Sequence, residues 1–181
     1  MFENKIIIDN SMSTLFTHLS TVYLNADIVQ NSDKISIGDM VTLSEAIEQY
    51  RKHSPTLDFI EVDDNNKKHP IFDAIEEHVA KTLAIVTFNG VPYVYDWNSM
   101  KYRPDNNNIE RFIINLLKSK GYTRKKGIHS LVAEILFRLI KSTSVSEYPF
   151  NHCKEFIPVR NGTLHIESRE LFEHSPVFGF T

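Results

Sequence analysis

The sequence predicts an α+β protein, a mainly helical bundle decorated with short antiparallel β-hairpins. Apolar residues recur at helical spacing in five segments. Two Asn-Gly dipeptides sit between short apolar runs, where hairpin turns belong. The strand-like runs cluster beside the helical ones rather than alternating with them, which points away from a parallel α/β sheet. With 181 residues, 41% of them hydrophobic and twelve of them Phe, the chain has material for a sizeable core.

Residues 10 to 24 read as a helix, with Asn10 or Ser11 as its cap and Leu15, Leu19, Val22 and Tyr23 near helical spacing. A second helix runs from Leu43 to Lys52, opened by Thr42-x-x-Glu45, a spacing at which hydroxyl and carboxylate each satisfy a free backbone N–H. Residues 61 to 70 are too polar to pack and read as a linker, dividing an N-terminal segment over 1–69 from a domain over 70–181. A helix from Ile71 to Thr82 carries Ile71, Ile75, Val79 and Leu83 on one stripe. Strands at 83–88 and 91–95 flank Asn89-Gly90, and a third at 100–103 follows a turn at Trp97-Asn98-Ser99. A helix over 109–120 ends at Gly121, and Thr123 opens a longer one to Lys141 with a broad apolar face. Near the end, Asn161-Gly162 between Ile157/Val159 and Leu164/Ile166 reads as a turn needing φ > 0 that joins two strands. A turn at Ser168-Arg169 then leads to a short strand at Leu171-Phe172.

The net charge of −3 conceals a division. Nine basic residues face seventeen acidic ones over 1–110, eight face one over 111–141, and three face five over 142–181. Phosphate attraction responds to local charge, so the middle island is where nucleic acid would bind. Within it, Thr123, Arg124, Lys125, Lys126 and His129 stand at a helix start, where three like charges repel the positive helix end and a partner phosphate would relieve them. Lys118 and Lys120 extend this set, with Arg138 further along the helix. A second set interleaves aromatic and basic residues on a hairpin: Trp97 at the turn, then Lys101 and Arg103, with Tyr93, Tyr95 and Tyr102 beside them as stacking surfaces or as core.

Other chemistry finds little footing. One cysteine, Cys153, and eight histidines without H-x-x-x-H spacing argue against a metal site. The pairs Asp63-Asp64 and Glu76-Glu77 read as solvated carboxylates, and no Gly-rich phosphate loop or nucleophile elbow occurs. No catalytic residue and no cofactor are therefore expected. No apolar run reaches membrane-spanning length and the N-terminus lacks a signal-peptide pattern, which predicts a soluble, cytoplasmic protein.

Three motifs stand in a fixed order: Tyr93-Val94-Tyr95-Asp96 with Tyr102-Arg103-Pro104, two helices over 111–141, and the string from Phe156 through Asn161-Gly162 to His174-Ser175-Pro176. Together they resemble the helical linker domain upstream of the superfamily 3 helicase module in plasmid- and virus-type primase–helicases, the family that includes poxvirus and satellite-phage replication proteins. The resemblance covers roughly residues 70 to 181. Where that family usually carries an aspartate after the turn, this chain has His165. The resemblance implies a non-catalytic DNA-binding and coupling domain that holds template or organises the helicase. Its partners would be single-stranded or primer-template DNA and adjacent primase and helicase modules, with homo-oligomerisation through the helicase and no membrane. Because the chain ends near where the ATPase would begin, it is expected to be a piece of a longer primase–helicase. The alternative is a protein–protein interaction module whose charge pattern only solubilises it.

Overall fold

A computed structural model describes residues 10–24, 35–53, 58–122 and 127–181. In chain order these form α1 (Asn10–Leu24), α2 (Ile37–Lys52), β1 (Ile60–Val62), β2 (Lys68–Pro70), α3 (Phe72–Leu83), β3 (Val86–Phe88), β4 (Val91–Asp96), β5 (Lys101–Pro104), α4 (Asn108–Ser119), α5 (Ile128–Ser142), β6 (Ser144–Val145), β7 (Phe156–Val159), β8 (Gly162–His165) and β9 (Leu171–Phe172). A 3-10 turn at Pro176–Phe178 closes the chain.

The fold is α+β, but it is not the mainly helical bundle with hairpins that the sequence suggested. Its strands form three sheets among the described residues, and the largest, in the order β5-β4-β3-β6, is an organising layer. Successive side chains of a strand point to opposite faces. On this sheet Val86, Tyr95 and Tyr102 enter one core, which holds Leu15, Leu19, Met40 and Ile47 from α1 and α2 together with Phe150, Phe156 and Phe178. Ile85, on the connection into β3, and Val94 enter the other, which is built from Ile75, Val79, Ile113, Leu117, Ile135 and Leu139 of α3, α4 and α5. Helices thus cover both faces. The run Ala84-Ile85-Val86, buried throughout, is the mark of a strand entrance with no solvent side.

The edge strand β6 pairs parallel with β3, an arrangement that short-range hairpin signals do not announce. A buried contact fixes it: the Thr87 and Thr143 hydroxyls lie 2.8 Å apart, and Thr143 donates onward to the Leu139 carbonyl at 2.6 Å. At the opposite edge, the Tyr102 amide donates to the Phe180 carbonyl at 2.7 Å, pinning the last residues to β5. Polar bonds also tie the layers together. His18 Nε2 meets the Ile85 carbonyl at 2.9 Å, and the Tyr50 hydroxyl meets His78 Nδ1 at 2.9 Å.

Residues read as a linker instead form the β1–β2 hairpin, with Asp63 organising its turn by accepting from the amides of Asn65 and Lys67 at 2.9 and 2.8 Å. Helix α2 starts earlier than expected, because its capping box is Ser36 with Asp39, whereas Thr42 lies inside the helix and donates to the Gly38 carbonyl at 2.9 Å. The two Asn-Gly dipeptides behave differently. Asn89 and Gly90 take φ of 49° and 76°, as a two-residue hairpin turn requires. Arg160, Asn161 and Gly162 take no positive φ. Gly162 is required for another reason: a Cβ there would stand 2.4 Å from the Phe172 carbonyl oxygen and 2.9 Å from Leu171 Cδ1. Among the described residues no helix is long and apolar enough to cross a membrane.

Candidate nucleic-acid interface

Helix α4 is opened by Asp105, whose carboxylate accepts from the amides of Asn108 and Ile109 at 2.9 and 3.3 Å. It closes at Gly121, whose φ of 73° and whose amide bond to the Lys118 carbonyl, with the Tyr122 amide on Leu117, form a Schellman-type end. Its buried stripe of Ile109, Ile113 and Leu117 faces α3 and α5, so Lys118 is exposed at the end of the opposite face. Lys120 follows, half-buried, with its ammonium 5.4 Å from the centre of the Phe59 ring.

The structure adds a residue that sequence spacing did not connect to this set. Lys68 of β2 reaches across to donate to the Gly121 carbonyl at 3.1 Å. A carbonyl at a helix C-terminus carries partial negative charge and suits a cation. Lys68 lay in a segment that read as linker, and only the β1–β2 hairpin brings it to the end of α4. Lys68, Lys118 and Lys120 therefore stand at the turn that leads toward the most basic stretch of the chain. Of that stretch, Thr123, Arg124, Lys125 and Lys126 lie outside the described residues. His129, exposed on the first turn of α5, lies on its far side, after Gly127 with φ of 99°.

Acidic neighbours limit this surface on the hairpin side. Asp63 bonds His69 at 3.0 Å, and the His69 hydrogen bond together with the Lys67 and Asn65 amides holds the carboxyl below its usual range, the amide of Lys67 contributing most. Arg138 belongs elsewhere. It pairs with Asp73 and Glu134 at 3.5 Å each and lies 4.7 Å over the Phe72 ring, packed against α3.

The second predicted set sits on the other core. Tyr95 and Tyr102 are 4% and 1% exposed, and they pack edge to face at 5.3 Å, so they are core side chains. Trp97 is half-buried: Tyr95 meets it at 4.8 Å, and the Arg51 guanidinium covers a ring face at 4.7 Å. Lys101 donates to the Thr181 carbonyl at 3.2 Å, and Arg103 pairs with Asp96 at 3.4 Å. Ser99 and the Asn98 amide hold the Asp96 carboxyl below its ordinary range, with Arg103 adding to the effect. Each of these hairpin cations thus has a partner within the fold, whereas Lys118 has none among the described residues.

Next to Trp97, a groove of about 760 Å³ runs between α2 and the C-terminal segment. Met40, Ile47, Phe172 and Phe178 line it, with Glu45, Glu48 and Glu173 among its polar groups, a charge unsuited to phosphate. Cys153 is buried, and burial with Glu155 nearby pushes its thiol up to about 12, far from a reactive thiolate. His165, at the position where the family resemblance expects an aspartate, is 3% exposed. Its Nδ1 accepts from the Ser168 amide at 3.3 Å and lies 2.9 Å from the Ser168 hydroxyl, which organises the turn between β8 and β9. Among the described residues, no three His, Cys, Asp or Glu side chains converge to hold a metal ion.

Comparisons with family models, with curated proteins and with solved structures return no match for this chain.

Proposed function

We propose that the chain is a non-catalytic DNA-binding and coupling domain of a replicative primase–helicase, acting in the cytoplasm on single-stranded or primer-template DNA. The observation that supports this reading most is the convergence of Lys68 with Lys118 and Lys120 on the turn after α4, from two elements far apart in sequence. A cluster of ammonium groups from separate elements suits phosphate contacts, which position nucleic acid without reading its sequence. A further support is that the first motif behind the family resemblance packs against the C-terminal stretch in one core. Tyr93 and Tyr102 meet Phe150 at 4.7 and 4.9 Å, and Phe156 meets Phe178 at 5.0 Å.

Charge reversal separates this reading from its alternative. Lys68→Glu with Lys118→Glu and Lys120→Glu removes up to three phosphate contacts, so the slope of log affinity against log salt for single strands falls by about 2. Arg138→Glu serves as the control, since that guanidinium is already committed to Asp73 and Glu134. Equal binding by the triple variant and the control would remove the assignment. Absence of any DNA binding would favour the interaction-module alternative.

A further inference from the structure

His78 of α3 shares an aromatic cluster with the basic turn. Its half-buried ring lies 4.9 Å from Phe59, which leads into β1, and 6.1 Å from Phe112 of α4. The Lys120 ammonium sits over the same Phe59 ring at 5.4 Å. By way of Phe59 it is therefore no farther than about 10 Å from His78, a range within which salt leaves charges coupled. From α2, the Tyr50 hydroxyl meets His78 Nδ1 at 2.9 Å. On α3 itself, Lys81 stands one turn further on, pairs with Glu77 at 2.6 Å and covers the Tyr50 ring.

This setting lets the ring take up a proton without losing its bond to Tyr50. A tyrosine hydroxyl both donates and accepts, so the bond survives protonation with its direction reversed. What opposes the proton is burial first and then the Lys120 charge, which together hold the imidazole below its usual range. A phosphate bound at Lys120 offsets the second of these and adds an attraction to the charged ring. We propose that His78 couples DNA binding at this turn to pH, the protonated ring strengthening the hold on phosphate and bound phosphate favouring the protonated ring, an inference that rests on the reading that the turn holds DNA. The two effects are equal in size, as linkage requires. One charge about 10 Å from a phosphate, in partly screened surroundings, changes affinity about threefold.

His69 and His129 flank the same surface, so the coupling is tested ring by ring. Nuclear magnetic resonance of the histidine side chains between about pH 5 and pH 8, where imidazoles change charge, is read with and without a saturating oligothymidine, whose bases do not titrate there. Bound oligothymidine should raise the His78 midpoint by about 0.5, the counterpart of a threefold change. It should leave the signals of His18, which is bonded to the Ile85 carbonyl, in place. Lys120→Gln should raise the His78 midpoint in the free chain and shrink the further rise on binding. In a binding assay, His78→Gln should lose about a threefold share of the affinity that the chain gains on acidification. A His78 midpoint that bound oligothymidine leaves unmoved, or one that moves no more than His18, would overturn the coupling while the basic turn keeps its role. Failure of oligothymidine to bind at low salt would overturn the reading of the turn, and the coupling with it.

Discussion

Two glycines that follow asparagine give the sharpest test of how this fold is held. At Gly162 a methyl group would stand 2.4 Å from the Phe172 carbonyl oxygen, about 1 Å inside ordinary contact, and 2.9 Å from Leu171 Cδ1. The carbonyl belongs to a paired strand, so β8 and β9 must separate to admit it. Overpacking of this kind costs about 1–3 kcal/mol, and a weakened ladder bond adds about 1 kcal/mol. In a chain of 181 residues a loss of about 2–4 kcal/mol lowers Tm by about 4–16 °C. At Gly90 an added Cβ meets nothing within 4 Å, and the obstacle is φ of 76° alone. Gly90→Ala should cost about 1 kcal/mol, and Gly90→Asn less, because asparagine tolerates the left-handed region. Gly162→Asn should instead be at least as harmful as Gly162→Ala. Thermal unfolding followed by circular dichroism on the four variants decides the matter. The reasoning fails if Gly162→Ala is neutral, or if asparagine rescues position 162 and not position 90.

Burial holds the His18 imidazole below its usual value of 6.5, opposed by the bond to the Ile85 carbonyl, and burial followed by the Lys120 charge does the same at His78. A lowered native value means that the unfolded chain binds more protons. Stability is then complete above pH 6.5 and is lost as pH falls below it, by up to about 1.4 kcal/mol per pH unit for each group. Urea unfolding at several pH values should show this decline, and His18→Gln should shallow it; an unchanged slope would contradict the assignment. Tyr102 carries a buried hydroxyl with no hydrogen-bond partner among the described residues. Tyr102→Phe should therefore leave stability unchanged or raise it by up to about 1 kcal/mol, and a clear loss in the same assay would show that the hydroxyl is satisfied.

Local signals in the sequence were legible where one residue dictates local geometry. Helix α1 spans the expected residues 10 to 24, and Asn89-Gly90 makes the expected turn. Competing local signals misled at α2, where Ser36-x-x-Asp39 and Thr42-x-x-Glu45 have the same form and only packing chooses between them. Long-range contacts were not legible. The parallel pairing of β6 with β3 depends on Thr87 and Thr143, which are far apart in sequence, and the cover of helices on both sheet faces depends on where α1 and α2 return. For the same reason the basic island announced Lys118 and Lys120, but Lys68 became part of the site only through the β1–β2 hairpin. Aromatic alternation on β4 and β5 marked a surface and a core equally well, and burial assigns Tyr95 and Tyr102 to the core.

The central claim is that this chain holds nucleic acid at the basic turn after α4. Fluorescence anisotropy of labelled single-stranded and primer-template DNA across a salt series tests it most directly. The account predicts binding at low salt that weakens with a log–log slope of about −2 to −4, as three to five released phosphate contacts would give. No binding at low salt and high protein concentration, or binding indifferent to salt, would contradict it.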